Sequence, residues 1–576
     1  MIVYGDPSFN VSIPSSLAWL REDFTGATLD EWRAALIAAG QLEQAAEDWP
    51  DASQVLREAA RSLTDAAAEG FYGRCMGGEP DATAFRNVLA HPAFATDILP
   101  KFKLPESFAF YALYPEQFIG SVERFIADHP APAHVALIGI RSIGTSLSAI
   151  CARVFIAHSW QVTRFTVRPT GHPFSRVSEI DAAQLAGAEY ALIVDEGPGL
   201  SGSSMASVVE ALERVGFAQE RIAFFATRAG MLGHAASDTV RAIWERTPRY
   251  LPSEARFDGL ALPEALVEAS RRLYLDDPVV KCEDIGGGGW RRIVYADEAE
   301  WPPAFAPFER PKYLVTLASR KRILWKFEGL CSDEAGYLAK FEFYDFNQPI
   351  GFTKVQVPSF AGFLAWEWVT GKTPSRADLS WELMQPAGSY MRAVKGDTLS
   401  EEEQKAALDR LIEMVYWNTW ESLGEPTAQA LKRWMEAARA ALPATPPRFE
   451  DGRFAPHDFV IVKDGEWLKI RHSAHALDHT WIGKQSATWD PAGMIIEWAL
   501  DDDQTKMLLA YYEAVPVDEL RFYCVAYAAF KVGMTALCAG MWSNDADEKA
   551  RLDEAYVFYL HQLRVLTDKL TTDARP

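Results

Sequence analysis

Residues 192–204 read LIVDEGPGLSGSS. A run of β-formers, Tyr190 to Val194, ends in two adjacent acids, Asp195 and Glu196. A loop rich in Gly and Ser follows, and a helical pattern begins at Met205 (MASVVEALERV). Backbone N–H groups and Ser hydroxyls at a helix N-terminus cradle phosphate, aided by the helix dipole. Two carboxylates at the strand end accept hydrogen bonds from a sugar diol. The layout therefore points to a phosphorylated ribose. A plain β-turn-α connection uses Gly for turn geometry alone and has no need of two acids and several Ser.

The flanking order extends this reading. VALIGIRSIGTSLSAICARVF (135–155) is a buried strand, a tight loop and an apolar helix; strand-like VTRFTVRP (162–169) follows, and RIAFFATR (221–228) is a fourth strand after the acidic one. Strands alternating with helices predict an α/β fold with a doubly wound parallel sheet. Ligands of such sheets sit beyond the strand C-terminal ends, where these loops lie. The loop Arg141–Thr145 supplies backbone amides and a guanidinium for a diphosphate, and Arg168 and Arg176 can add charge from the loop at 170–185.

These residues resemble the PRPP-binding motif of type I phosphoribosyltransferases over about 105–230. The match is Asp195 and Glu196, then Ser201, Gly202, Ser203 and Ser204; the loop is one residue longer than in the family, and Ser replaces Thr. The resemblance implies PRPP contacts from Arg141, Ser142, Gly144, Thr145, Asp195, Glu196, Gly199, Ser201, Gly202, Ser203 and Ser204. It gives Asp195 and Glu196 the catalytic role, makes 170–185 a hood, and implies Mg²⁺ held by the diphosphate.

At 576 residues the chain should hold more than one domain. Hydrophobic residues at 49% and charged residues at 24% describe a globular protein. A net charge of −22 argues against general nucleic-acid affinity, though phosphate sites are local. Six scattered Cys (75, 151, 282, 331, 524, 538) without a CxxC pair fit a reduced cytoplasmic protein. MIVYGDPSFN lacks the pattern of a signal peptide, no apolar run is expected to span a membrane, and a homodimer is possible.

The first hundred residues read as helical, with apolar spacing in EWRAALIAAGQLEQAAEDW and ASQVLREAARSLTDAAAEGF. Phe108, Tyr111, Tyr114 and Phe118 either stack on a planar acceptor or form core. Between about 276 and 311 four Gly (286–289) and many Pro read as a linker or docking segment.

A second chemistry lies in DGRFAPHDFVIVKDGEWLKIRHSAHALDHTWIG (451–483). FVIVK and EWLKI form a hairpin across Asp464–Gly465, and Asp451, Asp458 and Asp478 stand at its loops. Upstream, KRILWKFEGL (321–330) is a strand bearing Lys326, DEAGYLAKFEFYDF (333–346) is a helix pattern with Glu334 and Glu342, and GFLAWEWVTGKTP (362–374) is an apolar strand ending in aromatics and an acid. Long helices follow at 401–441 and 504–569.

This half resembles aminoglycoside phosphotransferase-like and choline-kinase-like enzymes, relatives of protein kinases, over about 311–570. The resemblance makes Asp451 the catalytic Asp, puts Asp458 in the place of the metal-binding Asn, and makes Asp478 the principal Mg²⁺ ligand. Lys326, paired with Glu334 or Glu342, would hold ATP phosphates, backbone groups of Glu367, Trp368 and Val369 would meet adenine, and Asp490 would anchor the catalytic loop. Phe449 and Glu450 stand where the family has a His before the catalytic Asp, the Asp451-to-Asp458 spacing is longer, and His479 follows Asp478.

The expectation is thus an α/β phosphoribosyltransferase-like unit followed by an α+β two-lobed kinase-like unit. The divisions are a helical segment at 1–104, the first unit at 105–275, a linker at 276–310 and the second unit at 311–576. The joint activity would use PRPP, ATP and Mg²⁺ to make a phosphorylated, ribosylated small molecule. The alternative is a kinase-like protein gated by a PRPP- or nucleotide-sensing first half, and a further one is a scaffold in which both halves are degenerate.

Overall fold

The computed structural model describes residues 1–576 except 6–7, 173, 200, 231, 234, 331–343, 346–358, 471–479, 542–544 and 574–576. Its N-terminal half is built on β1 (His134–Ile140), β2 (Gln161–Val167), β3 (Tyr190–Val194), β4 (Ile222–Phe225) and β5 (Arg249–Tyr250). They form one five-stranded sheet in the order β2-β1-β3-β4-β5, and every pair is parallel. β1 and β3 are apolar almost throughout because both faces are covered. Val135, Leu137, Leu192 and Val194 enter one core, whereas Ala136, Ile138, Ala191 and Ile193 enter another. The doubly wound sheet is as expected.

The first core also holds the N-terminal helices α1 (Leu29–Asp48) and α2 (Gln54–Cys75), so residues 1–104 form a layer of the sheet unit. A capping box between Thr28 and Glu31 starts α1. Polar docking completes the layer: Arg164 of β2 makes a bidentate pair with Glu43 at 3.0 Å on each arm and reaches Asp65 at 2.8 Å.

The second sheet consists of β6 (Val279–Asp284), β7 (Lys312–Leu317), β8 (Arg322–Phe327), β9 (Ser359–Phe360) and β10 (Phe363–Glu367). It is antiparallel, in the order β6-β7-β8-β10-β9, so numbered by sequence the strands run 1-2-3-5-4. Alternation assigns its faces. Ile323, Trp325 and Phe327 pack on helix α3 (Leu262–Leu273), while Arg322, Leu324 and Lys326 face the opposite way. This corrects the linker expected at 276–310. Residues 279–284 are the sheet's edge strand, and 285–311 are an insertion between its first two strands. The Gly and Pro content masked a short strand whose partner lies almost thirty residues on.

The helical part that follows includes Trp381–Ala393, Glu401–Leu423, Glu425–Ala438, Trp489–Trp498, Asp502–Tyr512, Val517–Met541 and Ala546–Asp573. Contrary to the sequence expectation, one helix, Val517–Met541, is long and apolar enough to cross a membrane; 83% of its apolar window is buried within the protein, as in a core helix. The two sheet units share a core through Tyr114 and Leu266, with Tyr114 Oη donating to the Ala361 carbonyl at 2.8 Å and Trp325 Nε1 to Ser270 Oγ at 2.8 Å. Phe108, Tyr114 and Phe118 are thereby core residues.

Candidate functional site

Between the antiparallel sheet and the helical part lies a cavity of about 330 Å³, within the range of small-molecule sites. Lys326 and Leu324 line its roof, Trp366 to Gly371 its back, and Asp451, Asp458 and Val460 its floor. The sheet face explains the roof, since residues of even number on β8 point into the cavity. The floor comes from the loop at 451–458 and a hairpin of Phe459–Ile461 with Trp467–Lys469, as the sequence pattern predicts.

Asp451 is buried to 1% exposure. Its Oδ2 accepts from Tyr390 Oη at 2.8 Å and pairs with Lys469 Nζ at 3.1 Å, while Oδ1 accepts from the Arg453 N–H at 3.2 Å. Burial raises the Asp451 carboxyl above the ordinary range, and the Lys469 ammonium works against that rise. Asp490 Oδ1 accepts from the Gly452 N–H at 2.8 Å, so Asp490 anchors the loop carrying Asp451. Burial, then repulsion from Asp451, hold the Asp490 carboxyl well above its usual value. Asp458 Oδ2 accepts from the Ala455 N–H at 2.8 Å.

Lys326 pairs with Glu328 at 2.6 Å, two residues along the same face. Both helix partners considered from sequence, Glu334 and Glu342, lie outside the described residues, as does Asp478. Residues 344–345, read as the end of that helix pattern, pair as strand with 468–469. Burial lowers the Lys326 ammonium below its ordinary value, and Glu328 offsets part of that. Glu328 also takes Arg310 at 2.5 Å. At the cavity's back the Trp368 N–H donates to the Arg322 carbonyl at 2.9 Å, so this amide is spent on the sheet and is not open to a base. The Glu367 side chain is largely exposed and pairs with Lys321 at 3.1 Å. All three residues expected at the base, Glu367, Trp368 and Val369, line the cavity.

Sequence reading missed the insertion's part in the cavity. Trp290, Phe305, Phe308 and Glu309 all line it. Trp290 Nε1 donates to Glu309 Oε1 at 3.0 Å, and the ring lies 5.6 Å from that of His457. Arg291 pairs with Glu548 at 2.8 Å, and the Ala304 N–H donates to the same carboxylate at 2.6 Å, which staples the insertion to the last helix. Aromatics set among prolines were the available signal. Lys469 was also missed, because a lone lysine between apolar strand neighbours reads as the solvent-facing side of the strand.

A second locus lies at the parallel sheet's switch point, where chain order reverses between β1 and β3. The loops after both strands meet there, bringing Arg141 and Ser142 toward Asp195–Ser204. Gly144 is needed for packing, because a Cβ would stand 2.5 Å from the Val194 carbonyl oxygen. Thr145 is wholly buried. Arg141 and Arg168 both pair with Asp48 at the end of α1, at 2.9 and 2.5 Å. Arg176 donates to the Gly171 carbonyl at 2.6 Å, within a hairpin of Thr170–His172 and Ser175–Val177.

Gly202 has φ of 68° at the start of helix Ser203–Arg214, and a Cβ there would meet Leu232 methyls at 3.0 Å. Ser201 Oγ donates to Ser203 Oγ at 3.0 Å, Ser204 lies in the first turn, and Gly199 stands in open space. Glu196 Oε2 accepts from the Ser107 N–H at 2.9 Å. Asp195 is half-buried, and its carboxyl is raised by burial and then by the adjacent Glu196 charge.

No family model matches the chain, and no curated protein matches it. Solved structures do. The chain is similar to choline kinase LicA from Streptococcus pneumoniae at 14% identity, over 52% of this chain and 99% of that one, with a TM-score of 0.32. It is similar to an aminoglycoside 2'-phosphotransferase in a GDP complex at 12% identity, over 54% and 98%, with a TM-score of 0.32. A choline/ethanolamine kinase family protein from Mesorhizobium loti matches at 14% identity, over 44% and 90%, with a TM-score of 0.28. Each likeness covers about half of this chain; strand order and cavity geometry have to carry a kinase-like reading by themselves.

Proposed function

We propose that the C-terminal half is a Mg-ATP-dependent phosphotransferase acting on a small-molecule hydroxyl. The observation that carries this is the single cavity lined at once by Lys326, the strand end at 366–371, Asp451 and Asp458. Lys326 neutralises nucleotide phosphate, and Asp451 orients the acceptor hydroxyl and takes its proton as the oxygen attacks the γ-phosphorus and ADP leaves. Asp458 offers the hard oxygen donors that suit Mg²⁺, which when bound neutralises phosphate charge. Calorimetry with Mg-ATP tests the reading: wild-type protein should bind, and Lys326→Ala should bind more weakly. Absence of magnesium-dependent binding at millimolar nucleotide would sink it.

For the N-terminal half we propose a phosphorylated-ribose site at 195–204, with PRPP as the ligand. One relationship favours a sensing role over transferase chemistry. The short helix Glu106–Phe110 is bonded to both units: the Ser107 N–H donates to Glu196, and the Leu330 N–H donates to the Phe108 carbonyl at 2.9 Å. A ligand that competes for Glu196 thus acts on a helix tied to the exit of the strand bearing Lys326. Diphosphate release from PRPP in the presence of metabolite extract separates the two roles, since a sensor binds PRPP without releasing diphosphate.

A further inference from the structure

Among the described residues, the carboxylates lining the cavity are matched by cations of the protein itself. Glu309 takes Lys312 at 3.0 Å, Glu328 takes Lys326 and Arg310, and Asp451 takes Lys469. Glu450 takes Arg448 at 2.6 Å and Glu367 takes Lys321. Asp458 is the carboxylate the phosphotransferase reading gives to Mg²⁺.

The helical wall is matched in the same way. Glu497 is 2% exposed and accepts from Tyr527 Oη at 2.8 Å and Tyr559 Oη at 2.7 Å, with Lys531 Nζ at 3.0 Å. Despite burial, Lys531 and these hydroxyls keep the Glu497 carboxyl below its ordinary value, so this is an ion pair and not a free acid. The Lys531 ammonium also lies 4.9 Å from the centre of the Phe305 ring and 5.0 Å from that of Tyr559. An ammonium over aromatic faces is the arrangement by which proteins hold cationic ligands. Here the protein supplies that cation from its own helix.

We infer that the acceptor is an uncharged alcohol with an apolar face, and that Lys531 is the residue that excludes ammonium-bearing acceptors. An incoming ammonium would meet the like charge of Lys531 and, among the described residues, carboxylates that the protein's own cations already engage. An uncharged ring or chain instead meets Phe305, Phe308, Phe530 and Met534 on the cavity wall. This inference rests on the phosphotransferase reading above, and the experiment separates the two.

The test titrates choline and kanamycin calorimetrically into the full chain saturated with a non-hydrolysable Mg-ATP analogue. Binding of the analogue is measured first, and its failure would overturn the phosphotransferase reading and this inference together. With the analogue bound, neither cation should show saturable binding to the wild type. Lys531→Gln should bind choline at least roughly tenfold tighter than wild type. The double variant Lys531→Gln/Glu497→Gln removes both charges and serves if the single variant does not fold; it too should gain choline affinity through the vacated aromatic faces. Saturable binding of either cation to the wild type overturns the inference, and so does a folded variant with no gain.

Discussion

Lys469 Nζ lies 3.1 Å from Asp451 Oδ2, and neither side chain is more than 1% exposed. A carboxylate this deep stays charged only with a partner, and the hairpin strand Trp467–Lys469 delivers it. Removing one member of a buried pair leaves the other uncompensated, at a cost of about 3–5 kcal/mol. Lys469→Met should therefore lower the unfolding temperature sharply, while Lys469→Met combined with Asp451→Asn should recover a large part of the loss. Additive effects in this cycle would refute the coupling.

A phosphotransferase site predicts that nucleotide binding and transfer separate by residue. Lys326→Ala removes a phosphate partner and should weaken Mg-ATP binding roughly tenfold, about 1.4 kcal/mol. Asp451→Asn should leave that affinity nearly intact and abolish transfer, because Asp451 meets the acceptor and not the nucleotide. The pair of variants is read by calorimetry and by ADP formation. Equal loss of binding in both would show that Asp451 holds the nucleotide site together instead.

Patterns of period two and buried runs made most of the parallel sheet and two strands of the antiparallel one legible. Tyr190–Val194 matches its strand residue for residue, and the hairpin, the Asp490 anchor and the late helices fall where the sequence put them. What failed was long-range pairing. Nothing local in Val279–Asp284 says that its partner is Lys312–Leu317, so Gly286–Gly289 looked like the centre of a linker. The protein's own partners for the site cations went unread for the same reason. Lys326 takes Glu328 from its own strand face, and Arg141 and Arg168 take Asp48 from a helix about a hundred residues earlier. Which carboxylate meets which cation is set by tertiary packing.

At the switch point, Asp195→Asn with Glu196→Gln should lower PRPP affinity at least roughly tenfold, since hydrogen bonds to charged groups are worth about 1.5–3 kcal/mol each. Calorimetry on the folded double variant decides it, and unchanged affinity would refute the ribose-diol role. Gly202→Val is a poor probe of the same loop. Its side chain would strike Leu232 and sit at a positive φ, so any loss of binding would be inseparable from strain.

Asp48 competes with any anion for Arg141 and Arg168. Burial works against its ionisation, but the Arg168 hydrogen bonds and both guanidinium charges hold its carboxyl below the usual range. Asp48→Asn should release both cations and raise the affinity for inorganic diphosphate several-fold, with the gain shrinking as salt rises. Titration of diphosphate at two salt concentrations reads this directly. No gain in the variant would mean that these two arginines serve docking of the first helix and no ligand.

The Asp195 carboxyl gives a pH test that needs no ligand. Burial and the neighbouring Glu196 charge raise its value in the folded chain, whereas the unfolded chain should show the ordinary value of about 3.9. Above that ordinary value the folded state keeps a proton the unfolded state has released, so stability falls as pH rises. The contribution is complete below the unfolded value and disappears as pH passes the raised folded one. Asn mimics the protonated carboxyl and does not titrate. Asp195→Asn should thus gain in unfolding temperature over wild type, and the gain should be larger at about pH 8 than at about pH 5. A gap of the same size at both would show that Asp195 ionises freely in the folded protein, and that the acidic pair is not held in the desolvated state the switch point implies.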